Sequence, residues 1–312
     1  MKQERAQERA QDTARINTDA VIIGAGPIAL FAVFELGLLG LKAEIVDILD
    51  KPGGQCSELY PEKPIYDIPA WPVISGQELT DRLLEQMAPF DPGMHLGQMV
   101  ERYYPDPAGG GWIVETDRGT RLHAPVIVVA AGGGSFVPKK PPLPELPDFE
   151  GSGVLYAVRS RQHCRDKRLV IVGGGDSALD WTLDLHPIAR HITLLHRRDQ
   201  FRAAPDSVQR VKGLAKQGAI DLRFGQLKAL HGQHGVLESI TYQDSQQQPH
   251  QIACDMLLPF FGLTMKLGPV AEFGLDLHEG RAIIVNTHAF ETSRPGIFAI
   301  GDINWYPGKL KL

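Results

Sequence analysis

Cysteine is scarce in this chain. Cys56, Cys164 and Cys254 are the only three in 312 residues, and no two of them make a C-x-x-C pair. That argues against a disulfide framework and a thiolate zinc site. It also removes the neighbouring dithiol through which a disulfide reductase cycles. The eleven histidines show no H-E-x-x-H or facial-triad spacing, so no metal ligand set is expected. Basic charge is not in excess. The formal net charge is −5, which argues against nucleic acid or an anionic membrane as a general partner. No apolar run is long enough to span a bilayer. The first fifteen residues alternate charges and lack the apolar core of a secretory signal. We read them as a disordered tail and expect a cytoplasmic protein. With 43% hydrophobic and 22% charged residues, the rest has ordinary globular composition, and its length suits about two domains.

What is present is organised around residues 169–202. Leu169 to Val172 is an apolar run that enters Gly173-Gly174-Gly175-Asp176-Ser177-Ala178, and an amphipathic stretch leads to a second apolar run, Ile192 to Leu195. This is strand, glycine turn, helix, strand. The loop has the form G-x-G-x-x-A. Gly173 permits the tight turn, Gly175 lets a pyrophosphate approach the backbone, and Ala178 lets helix and strand pack closely. The helix N-terminus, with Asp176 and Ser177, then faces the anion. A ribose-binding acid is expected about 20 residues further on. That place holds His196-Arg197-Arg198 instead, with Arg202 close behind. Cations there suit a 2′-phosphate, and so NADP(H) rather than NAD.

The same pattern stands earlier. Ala20 to Ile23 is an apolar strand without alternation, as when both sheet faces are covered. Gly24-Ala25-Gly26-Pro27-Ile28-Ala29 is a second G-x-G-x-x-A loop, followed by an apolar helix and a strand ending at Asp47. Asp47 lies 23 positions after Gly24, and His196 lies 23 positions after Gly173. The two units share one spacing and end in opposite charges. An acid accepts hydrogen bonds from ribose hydroxyls, whereas cations attract a 2′-phosphate. The reading is two different dinucleotides, NADPH on the second unit and FAD on the first.

Between them, Gly53-Gly54-Gln55-Cys56 opens a long surface loop, and Gln77 to Met87 is a helix. Trp112 to Thr116 and Val126 to Ala130 read as strands. The proline-rich stretch from Lys139 to Pro147 reads as a stiff connection between domains. After Arg202 come a helix, Ser207 to Gln217, and strand candidates near Ile220, Val236 and Ile252. Residues 255–261 lead to Gly262 as a return crossing. Gly296 to Asp302 reads as a buried strand ending in Gly-Asp, where an acid meets the ribityl or phosphate region of a flavin.

The chain resembles the thioredoxin-reductase-like flavoproteins, and among them the ferredoxin/flavodoxin–NADP reductases of that type. The resemblance runs from Asp19 to Leu312. It rests on GAGPIA, GGQC, ELYPEKPIYDIPAWP, GGGDSALDW, HRRDQFRA, FGLTMKLGP, ETSRPGIFAIGD and YPGKLKL. It implies an α/β fold of two Rossmann-like domains, the FAD domain (16–137 and 262–312) interrupted by the NADPH domain (138–261), and a homodimer. By resemblance Ile28, Asp47, Gln55, Tyr60, Val100, Phe136 and Asp302 fall on FAD-contact positions, with Tyr60 stacked on the isoalloxazine and Gly24 and Gly26 in the loop. Gly173, Gly175, Asp176, Ser177, Arg197, Arg198 and Arg202 fall in the NADPH motifs. The implied activity is hydride transfer from NADPH to flavin N5, then single-electron transfer to ferredoxin or flavodoxin, or the reverse. The cofactors carry that chemistry, so no catalytic side chain is nominated. Lys309 and Lys311 are expected to steer an acidic carrier.

The cysteine pattern separates this reading from its neighbours. Thioredoxin reductases carry a C-x-x-C shortly before the second glycine loop, where this chain has Cys164 alone. The Baeyer–Villiger monooxygenase signature is missing too. Family members continue past YPGK into a further helix, whereas this sequence stops ten residues after Asp302, so weak FAD retention is expected. Two other readings remain open at this point. One is an FAD-dependent NADPH oxidase or monooxygenase, and the other a truncated, non-catalytic dinucleotide-binding module.

Overall fold

The computed structural model describes residues 15–309. The charged tail up to residue 14, and Lys311, lie outside the described residues. Arg15, expected in the tail, instead opens a short strand, Arg15–Asn17. The chain divides into two compact units. The first holds the chain up to Glu58, Asp67–Phe136 and the chain from Met265 onward, and the second holds Leu59–Tyr66 and Val137–Thr264.

In chain order the first unit begins with β1 (Ala20–Ile23), α1 (Pro27–Leu38) and β2 (Ala43–Asp47). It continues through α2 (Gly76–Met87), β3 (Gly93–Leu96) and β4 (Val126–Val129). The second unit carries β5 (Arg168–Val172), α3 (Asp176–Leu185), β6 (His191–His196), α4 (Pro205–Lys216), β7 (Asp221–Phe224) and β8 (Met256–Pro259). The chain then returns to the first unit for β9 (Ile297–Ala299).

The first unit is built on a parallel sheet of order β9-β4-β1-β2-β3. The second is built on a parallel sheet of order β7-β6-β5-β8. Both are covered on two faces, so their central strands are apolar. All four residues of β1 are buried, and so are Leu169 to Val172 of β5. Burying each such Ile, Val or Leu contributes about 1.5–3 kcal/mol before the opposing chain entropy. Helix α1 packs Ala29, Leu30 and Val33 onto the first sheet. Helix α3 packs Ala178, Leu179, Trp181 and Leu185 against the second. Helix α2 starts cleanly because Ser75 Oγ accepts from Glu78 N at 3.1 Å, an N-cap bond.

Each unit also carries an antiparallel sheet. In the first, Val100–Pro105, Trp112–Thr116 and Arg121–Ala124 form a meander, and Arg15–Asn17 adds a parallel edge strand. Glu115 on this sheet takes hydrogen bonds from Tyr104 Oη at 2.7 Å, Arg121 Nε at 2.6 Å and Arg102 Nε at 2.6 Å. Burial pushes its pKa up. The bonds from Tyr104, Arg121 and Arg102 outweigh that and hold the carboxyl below its ordinary value. In the second unit Gln226–Gln233, Val236–Gln243 and Pro249–Ala253 form the meander.

The chain passes between the units through Ser135–Pro138 and Leu263–Lys266, which pair as a two-stranded ribbon. The proline-rich stretch is therefore not the connection. Leu146 and Phe149 at its end are buried in the core of the second unit, and Lys140 pairs with Glu150 at 2.8 Å. Among the described residues no helix is long and apolar enough to cross a membrane.

Candidate functional site: two glycine loops at the ends of two parallel sheets

The first loop follows β1. Gly24 has φ +111°, and a Cβ there would lie 2.5 Å from Ala130 O, so only glycine fits between β1 and the end of β4. Gly26 is the N-cap of α1, with no side-chain cap and with nothing within 4 Å of a Cβ placed on it. The first N–H groups of a helix have no partner inside it. The open side of Gly26 gives a diphosphate room to approach this helix start.

The loop is braced from below. Asp47 at the end of β2 accepts from Ala25 N at 2.5 Å and from Leu49 N at 2.8 Å. Burial raises its pKa, against the lowering effect of those two backbone donors. Each carboxylate oxygen keeps further acceptor capacity for a ribose hydroxyl. Gly53 N donates to Ala25 O at 2.8 Å, and a Cβ on Gly54 would lie 3.2 Å from Gly26 Cα. The glycine pair before Gln55 is thus packed on the dinucleotide loop. The sequence reading had noted the pair but assigned it no role. The doubled glycine beside a helix start was the available signal.

Parallel pairing of β9 with β4 carries Ile300, Gly301 and Asp302 to the same end of the sheet as Gly24 and Asp47. Ile28 is half exposed at the start of α1 and sits 3.5 Å from where a Cβ on Gly301 would stand. Asp302 is exposed in the short turn Gly301–Ile303. So Gly24, Gly26, Ile28, Asp47, Gln55 and Asp302 belong to one end of one sheet. Val100 is different, because its side chain is buried in the core and leaves only its backbone for a ligand. Phe136 lies on the crossing strand Ser135–Pro138, and its side chain is outside the description. Tyr60 belongs to the second unit. Its ring packs on the core around Leu169 and Leu179, under the Lys63 ammonium at 5.8 Å, and Lys63 pairs with Asp180 of α3 at 2.8 Å.

The second loop follows β5. A Cβ on Gly173 would meet Phe260 O at 2.7 Å and Ala178 Cβ at 2.9 Å. Gly175 is the N-cap of α3, again without a side-chain cap and with open space in front. Residues 196–204 fold over this loop. Arg202 N donates to Gly174 O at 2.7 Å, Ala204 N donates to Asp176 Oδ1 at 2.8 Å, and the His196 ring occupies the place of a Cβ on Gly174. Asp176 therefore spends one oxygen holding the arginine segment. Ser177 is exposed in the first turn of α3.

The electrostatics agree. Burial lowers the His196 pKa, the Gln200 carbonyl opposes that, and the charges of Arg197, Arg198 and Arg202 lower it further. All three guanidinium groups thus stand near one imidazole. They are exposed, and no carboxylate among the described residues pairs with any of them. The two loops are built alike and differ in charge, a half-buried carboxylate at one and three cations unpaired among the described residues at the other.

The family model for pyridine nucleotide-disulphide oxidoreductases matches residues 18–311. This chain belongs to that family. It is 60% identical over 299 residues to a ferredoxin–NADP reductase of Bradyrhizobium sp. strain BTAi1, covering 95% of this chain and 86% of that one. It is 59% identical over 297 residues to the ferredoxin–NADP reductase of Parvibaculum lavamentivorans, with the same two coverages. Its fold is that of thioredoxin reductase. The Lactococcus lactis enzyme superposes with a TM-score of 0.78 at 25% identity, over 93% of this chain and 91% of that one. The thioredoxin reductase of T. acidophilum superposes with a TM-score of 0.79 at 22% identity and the same coverages.

The cysteines part from the family's name. Cys56, Cys164 and Cys254 are all buried. Burial pushes the Cys164 thiol up to about 11, with Glu62 and Asp184 adding to it, and pushes Cys254 up to about 12. A thiol so far above neutral pH supplies little thiolate for exchange. No group of acids, histidines and cysteines fit to hold a metal occurs among the described residues.

Proposed function

We propose that this chain is a ferredoxin–NADP reductase, with FAD on the first unit and NADPH on the second. The observation that carries the reading is the pair of open glycine loops with opposite charges beside them. The half-buried Asp47 carboxylate suits a ribose without a 2′-phosphate. Arg197, Arg198 and Arg202, unpaired and exposed, suit one with it. Bound FAD would supply hydride acceptance from nicotinamide and release of electrons one at a time. The protein's part is placement. Gly26 and Gly175 leave helix N-termini open for two diphosphates, Asp47 and Gly53 hold the first loop, and Asp176 holds the arginine segment over the second. Ferredoxin is the proposed carrier, with flavodoxin the alternative of the same class, and the working form is a homodimer. The NADPH site and a sequence with only three scattered cysteines support a cytoplasmic setting.

The test is a visible spectrum of the purified protein followed by anaerobic NADPH-driven reduction of ferredoxins, flavodoxins and a disulfide substrate. We expect a bound-flavin spectrum once FAD is supplied, and ferredoxin reduced fastest. A disulfide turned over faster than any carrier would overturn the reading. So would peroxide formed in air at a rate that added carrier does not change.

A further inference from the structure

YPGK, near the end of the sequence, has an architecture of its own. Lys309 N donates to Tyr306 O at 3.2 Å, Pro307 follows the first residue and Gly308 has φ +82°. That is a type II turn, with proline and glycine at the positions that require them. The turn reverses the chain and aims Lys309 back toward the Gly-Asp turn after β9. Its ammonium donates to Gly301 O at 2.7 Å, Asn304 O at 2.9 Å and Asn304 Oδ1 at 2.8 Å. An ammonium has three donors, and here three oxygens meet them. Asn304 is buried, and its Nδ2 donates to Ala299 O, the last residue of β9, at 2.9 Å. Residues 300–303 are therefore held at both ends by one continuous set of bonds, and Asp302 sits in the middle of them.

We infer that Lys309 is a positioning residue for the dinucleotide of the first unit, fixing the Gly301–Asn304 turn and with it Asp302, and is not a docking cation for the electron carrier. The inference rests on the reading that this unit binds FAD. A lysine that steers a carrier keeps its ammonium in water, free to meet a carboxylate. This one is half-buried, and its ammonium is bonded to both oxygens of Asn304 and to Gly301 O, the same oxygen that accepts from Asn304 N within the turn. Charge-assisted bonds of this kind are stronger than neutral ones, so losing them loosens the turn at the place where the first dinucleotide is to be met.

The experiment compares the whole protein with K309M and N304S. FAD affinity is read from quenching of flavin fluorescence and from the shape of the bound flavin band. Binding of 2′,5′-ADP to the second unit serves as the control, and ferredoxin reduction is followed against ionic strength at saturating FAD. K309M is expected to raise the FAD Kd about tenfold, with 2′,5′-ADP affinity and the salt dependence unchanged. N304S removes one of the three acceptors together with the Nδ2 bond to Ala299 O, and is expected to raise the FAD Kd at least about threefold. It decides the matter should K309M fail to fold. Unchanged FAD affinity in a folded K309M, or in N304S where K309M does not fold, overturns the inference. A smaller salt dependence with FAD affinity intact overturns it in favour of docking. Equal loss of FAD and 2′,5′-ADP makes Lys309 a general stabiliser and overturns it too. Wild-type protein that binds 2′,5′-ADP but no FAD overturns the FAD reading itself, whereas wild-type binding with unaltered variants overturns the inference alone.

Discussion

Arg197 and Arg198 are the residues on which cofactor choice turns. Their side chains are exposed and unpaired among the described residues, so removing them leaves no buried charge behind and disturbs little packing. A 2′-phosphate would accept charge-assisted bonds from them, each worth about 1.5–3 kcal/mol. Two such bonds correspond to about a hundredfold or more in kcat/KM, since about 1.4 kcal/mol is tenfold. R197A/R198A is therefore expected to lower the NADPH-over-NADH preference about a hundredfold, mostly through KM, because the phosphate is remote from the transferred hydride. His196 provides a reading that needs no turnover. The arginine charges depress its pKa together with burial, so the double substitution should move its titration upward by NMR. An unchanged NADPH/NADH ratio, or a His196 titration that stays in place, would remove these arginines from the site.

At the scale of elements, the glycine loops divide into positions the fold needs and positions the ligand needs. Gly24 is one the fold needs, with φ +111° and Ala130 O at 2.5 Å from any Cβ. G24A should cost about 2–6 kcal/mol from backbone strain and overpacking together, read as a loss of urea midpoint. Gly26 is the opposite case, since nothing lies within 4 Å of its Cβ position and its φ is −73°. G26A should cost about 1 kcal/mol at most, as an N-cap exchange, while weakening FAD binding severely because the methyl group stands where a diphosphate must approach. Equal effects of the two on folding would contradict the division. The central strands and helices were legible in the sequence for the same physical reason. Residues such as Val21 and Ile171 are buried on both faces and leave unbroken apolar runs. The antiparallel strands were harder to read. Gln226–Gln233 has one wet face, so Lys228 and His231 interrupt its pattern. The role of Asp176 was half legible: its place in the motif was plain, but its bond to Ala204 N spans 28 residues and has no local signature. Lys309 reads as a surface cation in the sequence for a similar reason, because only the folded turn shows which oxygens it meets.

Across the whole molecule, stability and redox chemistry depend on different groups. Glu115 holds its sheet together with a carboxyl kept below its ordinary pKa by Tyr104, Arg121 and Arg102. A depressed acid contributes stability that is fully present above its unfolded pKa and is lost as pH falls through the folded one. Wild-type protein should thus lose urea resistance on going from neutral to acidic pH more steeply than E115Q, and parallel slopes would deny Glu115 that part. The cysteines show the other side. Cys56, Cys164 and Cys254 are buried, and the thiols of Cys164 and Cys254 are pushed up to about 11 and about 12. Only a thiolate attacks a disulfide, and cycling needs a partner sulfur that none of these three provides. The fold of thioredoxin reductase is kept here without the dithiol chemistry. The variant with all three cysteines replaced, C56S/C164A/C254A, is therefore expected to reduce ferredoxin with a kcat within about threefold of wild type, with any loss falling on stability through the space left in the core. Neither protein should turn over a disulfide at a rate approaching that of the carrier. If ferredoxin reduction vanishes while the variant still binds FAD and 2′,5′-ADP, a cysteine lies on the electron path and electrons do not leave directly from the flavin.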